Sequence, residues 1–167
     1  MTSTNKPTRA QAQGAAARMP GCPLCAEPGG LLVWSGDWLR LIRADDALHP
    51  AFYRLVWQHH AREFTDLTVL QRSACMDALA LVEQGLRTDL APDKINLASL
   101  GNVVPHLHWH VIARWHWDAH WPLAVWAAAQ RPPADDRSAS VRSRLPALDA
   151  NLRAAFLARF GPGGPAA

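Results

Sequence analysis

His106, His108 and His110 stand at alternate positions in the run Pro105-His106-Leu107-His108-Trp109-His110-Val111-Ile112. A β-strand turns successive side chains to opposite faces, so three imidazoles spaced by two share one face, and Leu107, Trp109 and Val111 occupy the other. The apolar face suits a core and the histidine face suits a cleft or a partner. Each imidazole brings a donor and an acceptor to satisfy and titrates near neutral pH, which makes three in a row costly as packing material. Two chemistries fit them. Imidazole nitrogens ligate metal ions, and a neutral imidazole held in one tautomer is a nucleophile toward phosphorus. Residues two apart on a strand have Cα atoms about 6.5 to 7 Å apart, a span over which neighbouring rings reach one phosphorus and its oxygens.

The other chemistry-bearing residues are fewer. Cys22-Pro-Leu-Cys25 offers two thiols at ligand spacing, but a structural zinc site wants four ligands, so the pair alone reads equally as two buried thiols. Cys75 falls on a helical apolar stripe and reads as core. The segment from Arg114 to Pro122, with Trp115, Trp117 and Trp121, and Trp126 beyond it, is dense in tryptophan. Packing accounts for those rings more simply than stacking on a ligand does. His116 and His120 receive no role.

The elements around these residues follow from patterning. Leu31–Trp34 and Trp38–Ile42 flank the turn signal Ser35-Gly36-Asp37, which predicts a β-hairpin, and Phe52–Trp57 is aromatic and β-branched enough for a third strand. Thr68 and Gln71 form a capping-box pair at the start of a long helix whose apolar stripe runs through Cys75, Leu79, Val82, Leu86 and Leu90. Pro92 stops it, Lys94–Ala98 gives a fourth strand, and Leu100-Gly101-Asn102 turns into the histidine strand. Short connections favour antiparallel neighbours, so the fold class is α+β: an antiparallel sheet of about five strands with the long helix on one face. Arg131–Ser140 reads as a polar linker, and Leu145, Leu148, Leu152 and Phe156 as a short C-terminal helix before a Gly/Pro-rich tail.

His106-Leu-His108-Trp-His110-Val-Ile resembles the signature of the histidine triad (HIT) family, and residues of about 20 to 125 are similar to its bacterial diadenosine polyphosphate hydrolase-like members. The resemblance implies a HIT-like fold and a hydrolase or transferase that cleaves nucleotides at the α-phosphate, with diadenosine polyphosphates or nucleoside phosphoramidates as substrates. It makes His108 the nucleophile that carries a nucleotidyl intermediate, and His110 a donor to a phosphate oxygen or an aid to the leaving group. Asn96, Gly101 and Asn102 complete the phosphate cradle. No catalytic metal is required. Some members hold a structural zinc, and the corresponding residues here are Cys22, Cys25, His60 and His106. Members commonly pair as dimers, so a homodimer is expected. Three departures stand out: Val103 replaces a Ser or Thr hydroxyl near the phosphate, Phe52 and Tyr53 occupy the region of a supporting histidine, and Asn102 replaces the usual glutamine. Two alternatives stay open: a nucleotide-binding protein with little turnover, which the lost hydroxyl suggests, and a metal-binding protein using His108 and His110.

At 167 residues, 49% of them hydrophobic and 19% charged, the chain suits one domain with a substantial core. The reading divides it into a disordered tail over 1–20, a HIT domain over 21–126, and linker, short helix and flexible tail over 127–167. A net charge of +3 from scattered arginines does not indicate a nucleic-acid surface, whereas a small anionic ligand agrees with it. No apolar run reaches the ~20 residues of a membrane span, and no signal-peptide core is seen at the N-terminus. Three cysteines make no disulfide framework. A cytoplasmic protein is expected.

Overall fold

A computed structural model describes residues 18–162, so the tail read over 1–20 lies, for its first seventeen residues, outside the described part, as does the tail after 162. Five strands, β1 (Leu31–Ser35), β2 (Leu39–Arg43), β3 (Phe52–Trp57), β4 (Lys94–Ser99) and β5 (His108–Arg114), form one antiparallel sheet in the order β1-β2-β3-β5-β4. Three helices accompany it: α1 (Pro23–Ala26), α2 (Val69–Leu90) and α3 (Asp135–Phe160).

The alternation expected of β5 divides the sheet into two faces. Trp109, Val111 and Ala113 join Tyr53, Leu55 and Trp57 of β3 and Leu39 and Leu41 of β2 in the main core, which α2 and α3 cover. The opposite face carries His108 and His110, paired across β3 with Val56 and Arg54 in an antiparallel register. Part of this second face is closed by the N-terminal segment, where Cys22 and Leu24 pack on Ile42 and Val56.

α2 begins as its capping box requires. The Gln71 amide donates to Thr68 Oγ1 at 3.3 Å and the Thr68 amide to Gln71 Oε1 at 2.8 Å, which satisfies two of the free donors at the helix start. Cys75, Ala78, Leu79, Val82, Leu86 and Leu90 are its buried residues. It ends at Leu90 because Ala91 turns left-handed, at φ 48°, ahead of Pro92.

The C-terminal helix corrects the sequence reading. It is not short: α3 runs 26 residues, starting inside the stretch read as a linker and continuing through Pro146. Asp135 and Asp136 in its first turn complement the helix dipole, and Ser138 and Val141 add two buried positions ahead of Leu145. The helix packs on α2 and β1, so it belongs to the same core as the sheet. Gly85 of α2 makes room for it, since a Cβ there would lie 2.6 Å from Leu152 Cδ2. Asp149 of α3 also accepts from Tyr53 of β3 at 2.6 Å and pairs with Arg43 of β2 at 3.0 Å, which joins helix and sheet by charge as well as by burial. No helix among the described residues is long and apolar enough to cross a membrane.

Candidate functional site

β5 is held between β3 and β4, so its histidines have little freedom to move apart. His108 and His110 have ring centroids 4.8 Å apart and lie almost edge to face. Nδ1 of His108 is 2.6 Å from the carbonyl oxygen of His106, which can only accept; Nδ1 therefore carries the proton and Nε2 holds the lone pair. Nε2 has no hydrogen-bond partner among the described residues. Nδ1 of His110 is likewise buried without a partner. Burial pushes the pKa of His108 below its ordinary value and that of His110 down to about 4, helped in both by the positive charge of Arg54. Both rings are accordingly neutral at pH 7, the state a nitrogen nucleophile needs.

The residues expected around a phosphate fall in two places. Asn96 of β4 pairs with Ile112 of β5 and so shares the histidine face, where its Oδ1 accepts from Arg114 at 2.7 Å and its amino group has no partner among the described residues. Gly101 and Asn102 lie in the loop before β5, and Gly101 has φ 115°, a left-handed conformation that favours glycine there. Val103 is 94% exposed in the same loop. Phe52, in the region expected for a supporting histidine, is buried and meets His110 edge-on at 5.4 Å.

Sequence reasoning missed what closes this face. Trp126 reaches back over His110 at 5.3 Å and is 54% exposed, so it borders the site rather than the core. Trp115 and Trp117 stack on each other at 5.1 Å, which is the packing role expected of the group. The segment between them and Trp126 is braced by a buried ion pair, Arg114 to Asp118 at 2.7 and 3.0 Å. Burial alone would raise the Asp118 carboxyl, but the hydrogen bonds and charge of Arg114 outweigh it and hold it below the usual range. His120 and His49 bond to each other at 3.2 Å beside this pair. The two rings and Asp118 are close enough together for a metal ion, yet Arg114 already neutralises the carboxylate, so the cluster acts as a brace. No local signal marks these residues, because their partners lie on different elements.

His106 points away from the pair. Its Nε2 donates to the Trp57 carbonyl at 2.7 Å, and its Nδ1 lies 3.4 Å from Sγ of both Cys22 and Cys25. His60 Nδ1 is 3.4 Å from Cys25 Sγ, and the four ligand atoms all lie within 4.8 Å of one another. Tetrahedral bonds of ~2.0 to 2.3 Å would place such atoms about 3.3 to 3.8 Å apart, so the donor set fits zinc. Arg40 secures the segment that delivers the thiols, donating to the carbonyls of Leu24 at 2.6 Å and Pro28 at 3.1 Å.

Comparison with known proteins agrees with this architecture. The family model described as the HIT domain matches residues 31–116. A histidine triad protein from Bradyrhizobium japonicum is 31% identical over 72% of this chain and 89% of its own, with a TM-score of 0.61. One from Marinobacter aquaeolei VT8 is 27% identical over 77% of this chain and 94% of its own, with a TM-score of 0.60. A Zn-bound histidine triad family protein from Mycobacterium smegmatis, 17% identical over 78% of this chain and 97% of its own with a TM-score of 0.53, shares the fold. No curated protein matches the chain.

Proposed function

The chain belongs to the HIT domain family, and from that premise we propose that it is a nucleotide hydrolase or transferase acting through His108. The observation that carries the reading is the 2.6 Å contact between Nδ1 of His108 and the His106 carbonyl, which frees Nε2 as the nucleophile. Nε2 attacks the α-phosphorus of a nucleotide; a phosphorus–nitrogen bond forms as the bond to the leaving group breaks, and the leaving group departs with that electron pair. Water or another acceptor then adds to phosphorus, and the pair of the phosphorus–nitrogen bond returns to Nε2. His110, its ring centroid 4.8 Å from that of His108, would donate a hydrogen bond to a phosphate oxygen during both steps. The amino group of Asn96, on the histidine face, and the backbone of the loop carrying Gly101 and Asn102 would supply further donors. Diadenosine polyphosphates and nucleoside phosphoramidates both contain the required bond.

A structural zinc ion held by Cys22, Cys25, His60 and His106 forms the second part of the proposal, supported by the clustering of their ligand atoms. When bound it would cross-link the N-terminal segment to the residue that fixes the tautomer of His108. His106 is then a positioning residue, its Nε2 already held by Trp57. The test is mass spectrometry of protein quenched during turnover of a diadenosine polyphosphate or nucleoside phosphoramidate. An added nucleoside monophosphate on a peptide containing His108 is expected; reversible binding without turnover would instead favour a nucleotide-binding protein.

A further inference from the structure

The histidine face of the sheet also carries Arg54, which the triad signature does not include. The β3–β5 register sets Arg54 directly opposite His110, and its guanidinium carbon lies 5.3 Å from the ring centroid of Phe52. Among the described arginines that are not exposed, Arg40 donates to Leu24, Arg43 to Asp149, Arg72 to Leu67 and Arg114 to Asp118. Arg54 donates to no described residue, and its Nε is buried without a partner. The carboxylate whose charge acts on it is Asp46. That carboxylate makes no hydrogen bond to Arg54; its Oδ1 accepts from the amides of Leu48 at 2.9 Å and His49 at 2.8 Å and lies 3.2 Å from His49 Nδ1.

A half-buried guanidinium loses hydration, and here only the Phe52 ring and the charge of Asp46 offset that loss, with no hydrogen bond to a described residue. Folding leaves a planar fork of donors beside the triad, the geometry that matches phosphate oxygens. The other donors read for the phosphate are neutral: imidazoles, an asparagine amide and backbone. Of the other two arginines that the register sets on this face, Arg114 is neutralised by Asp118, and Arg40 is taken up by Gln58 and the carbonyls of Leu24 and Pro28. Lys94 is exposed at the end of β4, opposite Arg114, so the half-buried cation that an entering nucleotide phosphate meets directly across from the triad is Arg54.

We infer that Arg54 is a phosphate ligand of this site and that it selects nucleotides whose α-phosphate bears a further phosphate over those bearing an amine. The inference rests on the nucleotide reading above. A fixed positive charge stabilises a departing phosphate chain and opposes an amine that gains a proton as it leaves. It also takes over the charge-stabilising role for which Val103 has no hydroxyl.

The experiment compares the unaltered protein with Arg54→Gln and Arg54→Lys, measuring calorimetric affinity for adenosine, AMP and ADP together with melting temperature. Arg54→Gln is expected to weaken AMP by about tenfold and ADP by more, because a charge-assisted bidentate contact is lost. Adenosine should stay within about twofold, as it has no phosphate to lose a contact from. The melting temperature should hold or rise, since an unpaired half-buried charge has been removed. Arg54→Lys, which keeps charge but not the fork, should fall between. Equal AMP and ADP affinities in Arg54→Gln and the unaltered protein would overturn the inference. So would a parallel loss of adenosine, or a lowered melting temperature in both variants, which would make Arg54 a structural residue. An unaltered protein that binds neither AMP nor ADP would overturn the nucleotide reading, and this inference with it. For substrate choice, Arg54→Gln should narrow the ratio of kcat/KM for a diadenosine polyphosphate over an adenosine phosphoramidate; an unchanged ratio would overturn the selectivity.

Discussion

At the scale of single residues, His108 as the proposed nucleophile and its neighbour His110 make separable demands. His108→Ala should reduce turnover by several orders of magnitude and leave nucleotide affinity within about tenfold, because the nucleophile acts mainly in the transition state. Single-turnover kinetics with an affinity titration checks both halves, and retained turnover would eliminate the covalent route. His110→Ala removes one donor to developing charge and should cost roughly 10² to 10³ in rate. His110 also makes a prediction about acid. In the unfolded chain its pKa returns to about 6.5, whereas burial holds it near 4 in the folded protein. Above pH 6.5 both states are neutral; as the pH falls below that value, the unfolded chain takes up a proton that the folded one refuses. Stability should therefore drop between pH 6.5 and 5 by up to about 1.4 kcal/mol per pH unit from this residue. Urea midpoints across that interval should show a shallower slope in His110→Asn, and an unchanged slope would contradict a buried neutral ring.

Among the elements, those with local signals were legible in advance and those defined by distant partners were not. Alternation in β5 and the Thr68–Gln71 capping box are properties of a few adjacent residues, and both occur where the sequence places them. Asn96 reaches the histidine face by strand register, which alternation predicts equally well. Trp126 and Arg54 were not legible, because the first depends on a brace closed by Arg114 and Asp118, and the second becomes notable only when its lack of a partner is visible. α3 was under-read because Pro146 and a polar first turn argue for interruption, while Ser138 and Val141 reveal their burial only against α2 and β1. Its share in the core gives a direct expectation. Leu148 is fully buried, so Leu148→Ala should destabilise the protein by about 2 to 5 kcal/mol in urea unfolding. A change below about 0.5 kcal/mol would mean that α3 is an appendage.

For the molecule as a whole, the Cys and His cluster joins the segment of Cys22 and Cys25 to the residue that leads into β5. Binding free energy at such a site is folding free energy, so a strong chelator should lower the melting temperature by about 10 °C or more. Cys22→Ser and His106→Ala should each lose the metal in elemental analysis of protein purified without a metal-affinity tag. Less than about a tenth of an equivalent of zinc in the unaltered protein, with no thermal shift on adding it, would return Cys22 and Cys25 to plain thiols. The same geometry sets an order of events during synthesis. Cys22 and His106 are 84 positions apart, so the ribosome releases both thiols and His60 long before the fourth ligand and β5 exist. A nascent chain up to that point holds at most three ligands and lacks the inner strand that joins β3 to β4. Closing the cluster and completing the sheet thus await the same stretch of chain, and His108 emerges only after His106, the last member of the cluster.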